Sequence, residues 1–118
     1  MLKIKRIYDE PEKDDGFRVL VDRLWPRGVS KEKAHLDLWL KEIAPSDALR
    51  KWFGHDPKRW TGFSEKYQKE LARKAELVRQ IGQLEQDHGS VTLLYSAHDA
   101  LHNQAVALRQ FLRDVRPK

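Results

Sequence analysis

Asp22, Arg23, Trp25 and Arg27 fall within six positions at the end of a short apolar run, Val19-Leu20-Val21. Two forked guanidiniums suit a phosphate or a carboxylate, because each presents paired N–H donors to planar oxygens. An indole beside them suits stacking on a ring. Asp22 can orient Arg23 or take up a proton. The bland alternative is an arginine paired with Asp22 and a tryptophan filling a gap beside a sheet. Arg27 follows Pro26 and precedes Gly28 in a turn that reads as exposed, so it fits the bland account less well. Trp25 is the one of the four tryptophans expected to be exposed.

Two further groups carry chemistry. Ser96, His98, Asp99, His102 and Asn103 cluster after a second apolar run, Val91-Thr92-Leu93-Leu94-Tyr95. If a helix starts there, its free N–H groups and dipole favour an anion. Asp99 also reads as a plain helix cap, and His98 and His102 as surface residues. His98 falls before the expected helix, so the His-x3-His spacing does not read as a metal site. His55, Asp56, Lys58 and Arg59 form the other group. His55 beside Asp56 has the makings of a general-base pair, although sequence neighbours often point apart. Lys58 and Arg59 sit in a first helical turn, where cations cost roughly 0.3–1 kcal/mol each; they converge on an anion or lie on a solvated face. His55, His98 and Asp22 are thus the candidate acid–base groups. Arg23, Trp25, Arg27, Ser96, His102 and Asn103 are the candidate ligand-binding residues. No Gly-x-Gly-x-x-Gly, phosphate-loop or nucleophile-elbow motif is present, and no motif calls for a cofactor or metal.

These groups can act together only if the elements between them converge. Leu2 to Tyr8 reads as an edge-like strand, and Phe17 to Val21 as a strand buried on both faces. Between them, Asp9 to Gly16 is acidic and reads as a solvated loop or a hairpin connection. Ser30 can cap a short helix over 31–34. Leu36 to Ile43 fits a strand or a helix, with the strand favoured because Pro45 stops it and Ser46 opens a fresh helix. That helix ends at Gly54, and Asp56-Pro57 opens another. Trp60, Phe63, Tyr67, Leu71, Ala75, Val78 and Ile81 then form one apolar stripe, with Glu65–Lys69 and Glu70–Lys74 as supporting i,i+4 pairs.

Unbroken to Asp87, this helix would be about 46 Å long. A chain of this size has a radius of gyration of only about 13–14 Å. A break near Ala72 to Ala75, or fraying beyond Gly82, is therefore expected. Val91 to Tyr95 is a buried strand, and Asp99 is expected to cap a last helix over 100–113. The order predicts an α/β layered domain, with a small, mostly parallel central sheet of about four strands flanked by helices. Open parallel sheets bind ligands at the carboxyl ends of their strands. Both main residue groups follow a strand.

Composition narrows the classes. The chain has 118 residues, 40% hydrophobic and 35% charged, which suits one domain. It has no cysteine, which excludes disulfides and thiolate chemistry. No apolar run approaches a membrane span and no leader-like segment opens the chain, so a cytoplasmic setting is expected. The net charge of +5 is spread along the chain without a basic tail. It favours anionic partners, a small ligand or a nucleic acid, without naming one.

The run from Val21 to Ser30, the segment from Asp37 to Ser46, the Trp52-Phe53-Gly54-His55-Asp56-Pro57 junction, and Val91 to Tyr95 with Asp99 and His102-Asn103 carry a resemblance. Together they resemble the YeaO-like branch of the domain-of-unknown-function 488 family over nearly the whole chain. The resemblance implies a compact cytosolic α/β domain of bacterial type, with Asp-Arg-x-Trp-Pro-Arg-Gly as its hallmark. It implies little about mechanism. One departure is His98, where the family pattern has Lys or Arg, so that position lacks a permanent cation. The leading expectation is a cleft for a small anionic ligand, with hydrolase or transferase chemistry if the histidines act. The rivals are a nucleic-acid-binding accessory domain, with Trp25 stacking on a base, and a protein-interaction module.

Overall fold

The computed structural model describes residues 1–115. Strands β1 (Leu2–Arg6), β2 (Phe17–Leu20), β3 (Leu38–Trp39) and β4 (Val91–Tyr95) form one sheet in the order β1-β4-β2-β3, every pair parallel. Helices α1 (Lys31–Ala34), α2 (Asp47–Phe53), α3 (Trp60–Ala72), α4 (Ala75–His88) and α5 (Gln104–Asp114) surround it. The apolar run of β4 is explained by its place between β1 and β2, where all five residues are buried. β1 lies at an edge, in keeping with its partial alternation.

Alternate residues feed two cores, as the two-residue strand period requires. Val19, Val21, Val91, Leu93 and Tyr95 join the larger one, with Phe53, Phe63, Tyr67, Leu71, Ile81 and Leu108 from the helices. Leu20 and Leu94 face the other way, into a smaller cluster with Ile7 and Ala34 that Trp25, Val29 and Leu36 partly cover.

Two local expectations change, and the expected break in the long helix is found. The strand over 36–43 shrinks to Leu38–Trp39, and Lys41–Ile43 turns as a 3-10 helix. That turn drops Ile43 and Ala44 into the core at 0% and 1% exposure. The long helix breaks at Arg73 and Lys74, between α3 and α4, so the chain fits within 38 × 35 × 21 Å; α4 then runs past Gly82 to His88. Glu70, in α3, and Lys74, in the break, both turn to the loop before α2 in place of pairing with one another. Glu70 accepts from the Ser46 backbone N–H and hydroxyl, and the Lys74 ammonium donates to the Ala44 carbonyl.

The acidic segment from Asp9 to Gly16 is neither a hairpin, since β1 and β2 run parallel with β4 between them, nor simply solvated. Asp15 and Arg18 are each 4% exposed and paired with one another, and Lys5 also reaches the Asp15 carboxylate. Arg18 donates further to the carbonyls of His35 and Ala34. Gly16, at φ +67°, lies so close to β4 that an added Cβ would sit 2.3 Å from the Ser90 carbonyl oxygen. This close approach lets a short connection carry the chain from β1 to β2, with β4 later filling the slot between them.

Candidate anion-binding site

All strands being parallel, the segments leaving β1, β2 and β4 emerge at the same end of the sheet. A cavity of about 630 Å³ lies there. It brings together Asp22, Arg23, Trp25 and Arg27 from the loop after β2, His55 from the turn after α2, and Ser96, His98 and Asn103 from the loop after β4. Of the nine residues proposed from sequence, only His102 is not in its wall. Another hollow, of about 550 Å³, is lined mainly by aliphatic groups of α3, α4 and α5 and lacks such convergence of polar groups.

Asp22 holds the site together. It is 7% exposed; its carboxylate accepts from the Ser96 N–H (3.0 Å), the Ser96 hydroxyl (2.6 Å) and the Gln104 amide. Burial pushes its pKa up, against the pull of these hydrogen bonds. The expectation that Asp22 orients Arg23 fails. β4 sits beside β2, so the carboxylate reaches sideways to Ser96, whereas Arg23 reaches the loop before α2. There its Nε donates to the Pro45 carbonyl (3.1 Å) and its Nη2 to that of Ala44 (3.3 Å).

Arg6, at the end of β1, is held in the same manner. Nε donates to Ala97 O (3.0 Å), Nη2 approaches Ser96 O (3.4 Å), and the guanidinium lies over the Tyr8 ring. Arg6 also contacts His98 Nδ1 at 3.2 Å. Arginine only donates, so Nδ1 accepts and the ring proton resides on Nε2. Arg27 is exposed, and among the described residues its guanidinium has no partner. Its carbonyl accepts from the Tyr8 hydroxyl (2.8 Å), and Gly28 at φ +77° completes the turn. Arg50, in α2, also lines the cavity and pairs with Asp47 at 3.5 Å. The wall therefore carries four arginines and one carboxylate, Asp22.

Trp25 is half-buried, not exposed. Its indole N–H donates to Val29 O (2.7 Å), and its ring meets Trp39 edge-on at 5.4 Å. Phe53 and Phe63, stacked at 4.3 Å, back the cavity from the core and are almost fully buried. His55 is exposed at φ +57°, a left-handed backbone that is strained for a non-glycine residue.

Asp99 does not cap the last helix. It bonds the N–H groups of Leu101 and His102 in a preceding turn, and Asn103 caps α5 by accepting from Val106 N (3.1 Å). Buried at 1%, Asn103 also donates to Asp99 O. His102 turns from the cavity, with Nδ1 2.8 Å from Asp99 and its ring edge-on to Trp60. Both imidazoles of the His-x3-His pair are thus engaged with protein groups. Asp56 caps its turn through Lys58 N, and Arg59 lies over Trp52, so neither Lys58 nor Arg59 joins the cavity.

Sequence reasoning missed Arg6, Tyr8, Arg50, Phe53, Phe63 and Gln104. Arg6 was within reach: it ends a strand just as Asp22 follows one. The others come to the cavity through packing alone.

The family model described as "Inactive DUF488-N3 subclade" matches residues 1–116. The chain is 41% identical over 114 residues to the uncharacterized protein YeaO of Escherichia coli, covering 97% of this chain and 98% of that one. It is 37% identical over 114 residues to the uncharacterized protein Mb3100c of Mycobacterium bovis, covering 94% and 92%. No solved structure matches. The hallmark run around Asp22 to Gly28, the matching model and these two relatives agree, and the chain belongs to the DUF488 family, in its YeaO-like branch.

Proposed function

We propose that this protein binds a small anionic ligand, phosphate- or carboxylate-bearing, in the cavity at the carboxyl ends of β1, β2 and β4. The observation that carries the reading is the wall charge: four arginines surround one carboxylate that is already hydrogen-bonded. Arg6 and Arg23 are pre-set by backbone carbonyls, so little side-chain entropy is lost when they take a ligand. Arg27 supplies a cation without a competing partner among the described residues.

Binding without turnover fits this wall better than hydrolase or transferase chemistry. The Ser96 hydroxyl proton is committed to Asp22, and His98 Nδ1 is occupied by Arg6. The word "inactive" in the matched family's description points the same way. A cytosolic setting belongs with this reading; no helix among the described residues is long and apolar enough to cross a membrane.

Thermal-shift screening tests the proposal. Inorganic phosphate, sugar phosphates and nucleotides should raise the melting temperature of the wild type and raise that of Arg27→Ala markedly less. Ligand at one hundred times its Kd stabilises by about 2.7 kcal/mol, well within detection. Equal shifts in both proteins would overturn it.

Nucleic-acid binding is a second reading with its own observation. Trp52, 38% exposed, has the Arg59 guanidinium 5.3 Å and the Lys66 ammonium 5.0 Å from its ring. It requires single-stranded DNA to bind at low salt and release steeply as salt rises. Absence of binding at low salt removes it.

A further inference from the structure

We infer that the ligand is a phosphomonoester carried on a flat ring, of the nucleoside monophosphate or aryl phosphate class; this rests on the anion-binding reading above and goes further. Charge selects the head group. Four guanidiniums face one carboxylate in the wall, and Asp47 just behind it lies 3.5 Å from Arg50 and 4.0 Å from Arg23, which leaves a formal excess of two positive charges. A phosphomonoester dianion balances more of it than a carboxylate monoanion does, and its three terminal oxygens can accept from several forks at once.

Size and lining select the body. A cavity of about 630 Å³ is much larger than one phosphate group and falls in the roughly 300–1,000 Å³ range of organic-ligand sites. The groups lining it beyond the arginines include several rings and aliphatic side chains beside the polar Asp22, Ser96, Asn103 and Gln104. Phe53 and Phe63 are packed into the core at 5% and 2% exposure and form only the base of the cavity, so the rings open to a ligand are those of Tyr8, Trp25, His55 and His98. Leu24 also lines the cavity although it is 61% exposed, an aliphatic group left open to water where a ligand body would cover it. The indole of Trp25 is tied to Val29 and Trp39, so it acts as a fixed wall and not as a mobile stacking lid. A sugar phosphate or free phosphate would leave this apolar lining wet.

Calorimetric titration of the wild-type chain separates head from body. The probes are inorganic phosphate, ribose 5-phosphate, phenyl phosphate, and adenosine and cytidine 5′-monophosphates. At least one ring-bearing ester should bind about tenfold or more tighter than ribose 5-phosphate, from ring contact and buried apolar area. Leu24→Ser, an exposed position, should weaken the ring esters several-fold more than ribose 5-phosphate, and an equal loss for both would overturn the ring inference. If ribose 5-phosphate binds as tightly as every ring ester, the ring inference fails and the anion reading survives. If none of the five compounds binds, the anion reading fails with it.

Discussion

The side chains of this cavity differ in what holds them, and this decides which of them a mutation can probe cleanly. Asp22 is buried and bonded to both Ser96 and Gln104, so its loss would loosen the loop after β4 and the start of α5 together. Arg27 and Tyr8 are exposed and can be changed with little effect on folding. Tyr8 earns a test as a positioning residue. Its hydroxyl holds the Arg27 carbonyl, and its ring lies under the Arg6 guanidinium. Tyr8→Phe keeps the ring and removes the tether, an exposed hydrogen bond worth about 0.5–1.5 kcal/mol. The expected result is a phosphate affinity several-fold weaker by titration, with a melting temperature close to that of the wild type. Unchanged affinity would show that the turn carrying Arg27 needs no tether.

At the scale of elements, the caps decide where helices begin and hence where loops present their residues. Ser30 and Ser46 cap α1 and α2 by accepting from Lys33 N and Leu49 N, as their side-chain chemistry predicts. Between Asp99 and Asn103 the local signals compete. Both are good caps, and the chain uses Asp99 to close a turn and Asn103 to start α5. The buried Asn103 side chain makes two part-buried hydrogen bonds, so Asn103→Ala should destabilise by about 1–2 kcal/mol. Asp99→Ala, at a more exposed turn, should cost less. Chemical denaturation of the two variants checks the order; a larger loss for Asp99→Ala would return the cap to that residue.

For the whole molecule, two buried carboxylates give stability opposite dependences on pH. Burial pushes the Asp15 pKa upward, but hydrogen bonds from the Glu12 N–H, Lys5 and Arg18, with the Lys5 charge, outweigh it and leave the pKa lowered. A lowered folded pKa means that the folded state binds fewer protons, so Asp15 contributes stability above its ordinary value near 3.8. That contribution is lost as pH falls through the folded value. Asp22 is raised, chiefly by burial. Its ionisation therefore costs stability as pH climbs from about 3.8 through its folded value. Asp15→Asn should lose about 3–5 kcal/mol at neutral pH, because it leaves Arg18 buried without its counter-charge. Its stability should also fall less steeply than that of the wild type between pH 4 and pH 2. Parallel acid-unfolding curves would contradict the assigned role of the Asp15–Arg18 pair.

Local chemistry settled much of this protein in advance. Continuous apolar runs at Val19 to Val21 and Val91 to Tyr95 mark central parallel strands, because both faces of such strands meet side chains and none meets water. Serine caps, Pro57 and the stripe from Trp60 to Ile81 mark the helices, and length alone requires the stripe to bend. The hallmark run from Asp22 to Gly28 marks the loop that brings Asp22, Arg23, Trp25 and Arg27 to the candidate cavity. Partnerships between distant residues were decided only by the tertiary structure. Insertion of β4 between β1 and β2 gave Asp22 to Ser96 instead of Arg23, brought Arg6 to the cavity, and buried Asp15 with Arg18. The physical reason is that hydrogen bonds and charge pairs act over a few ångströms of space, whereas a sequence records only distance along the chain.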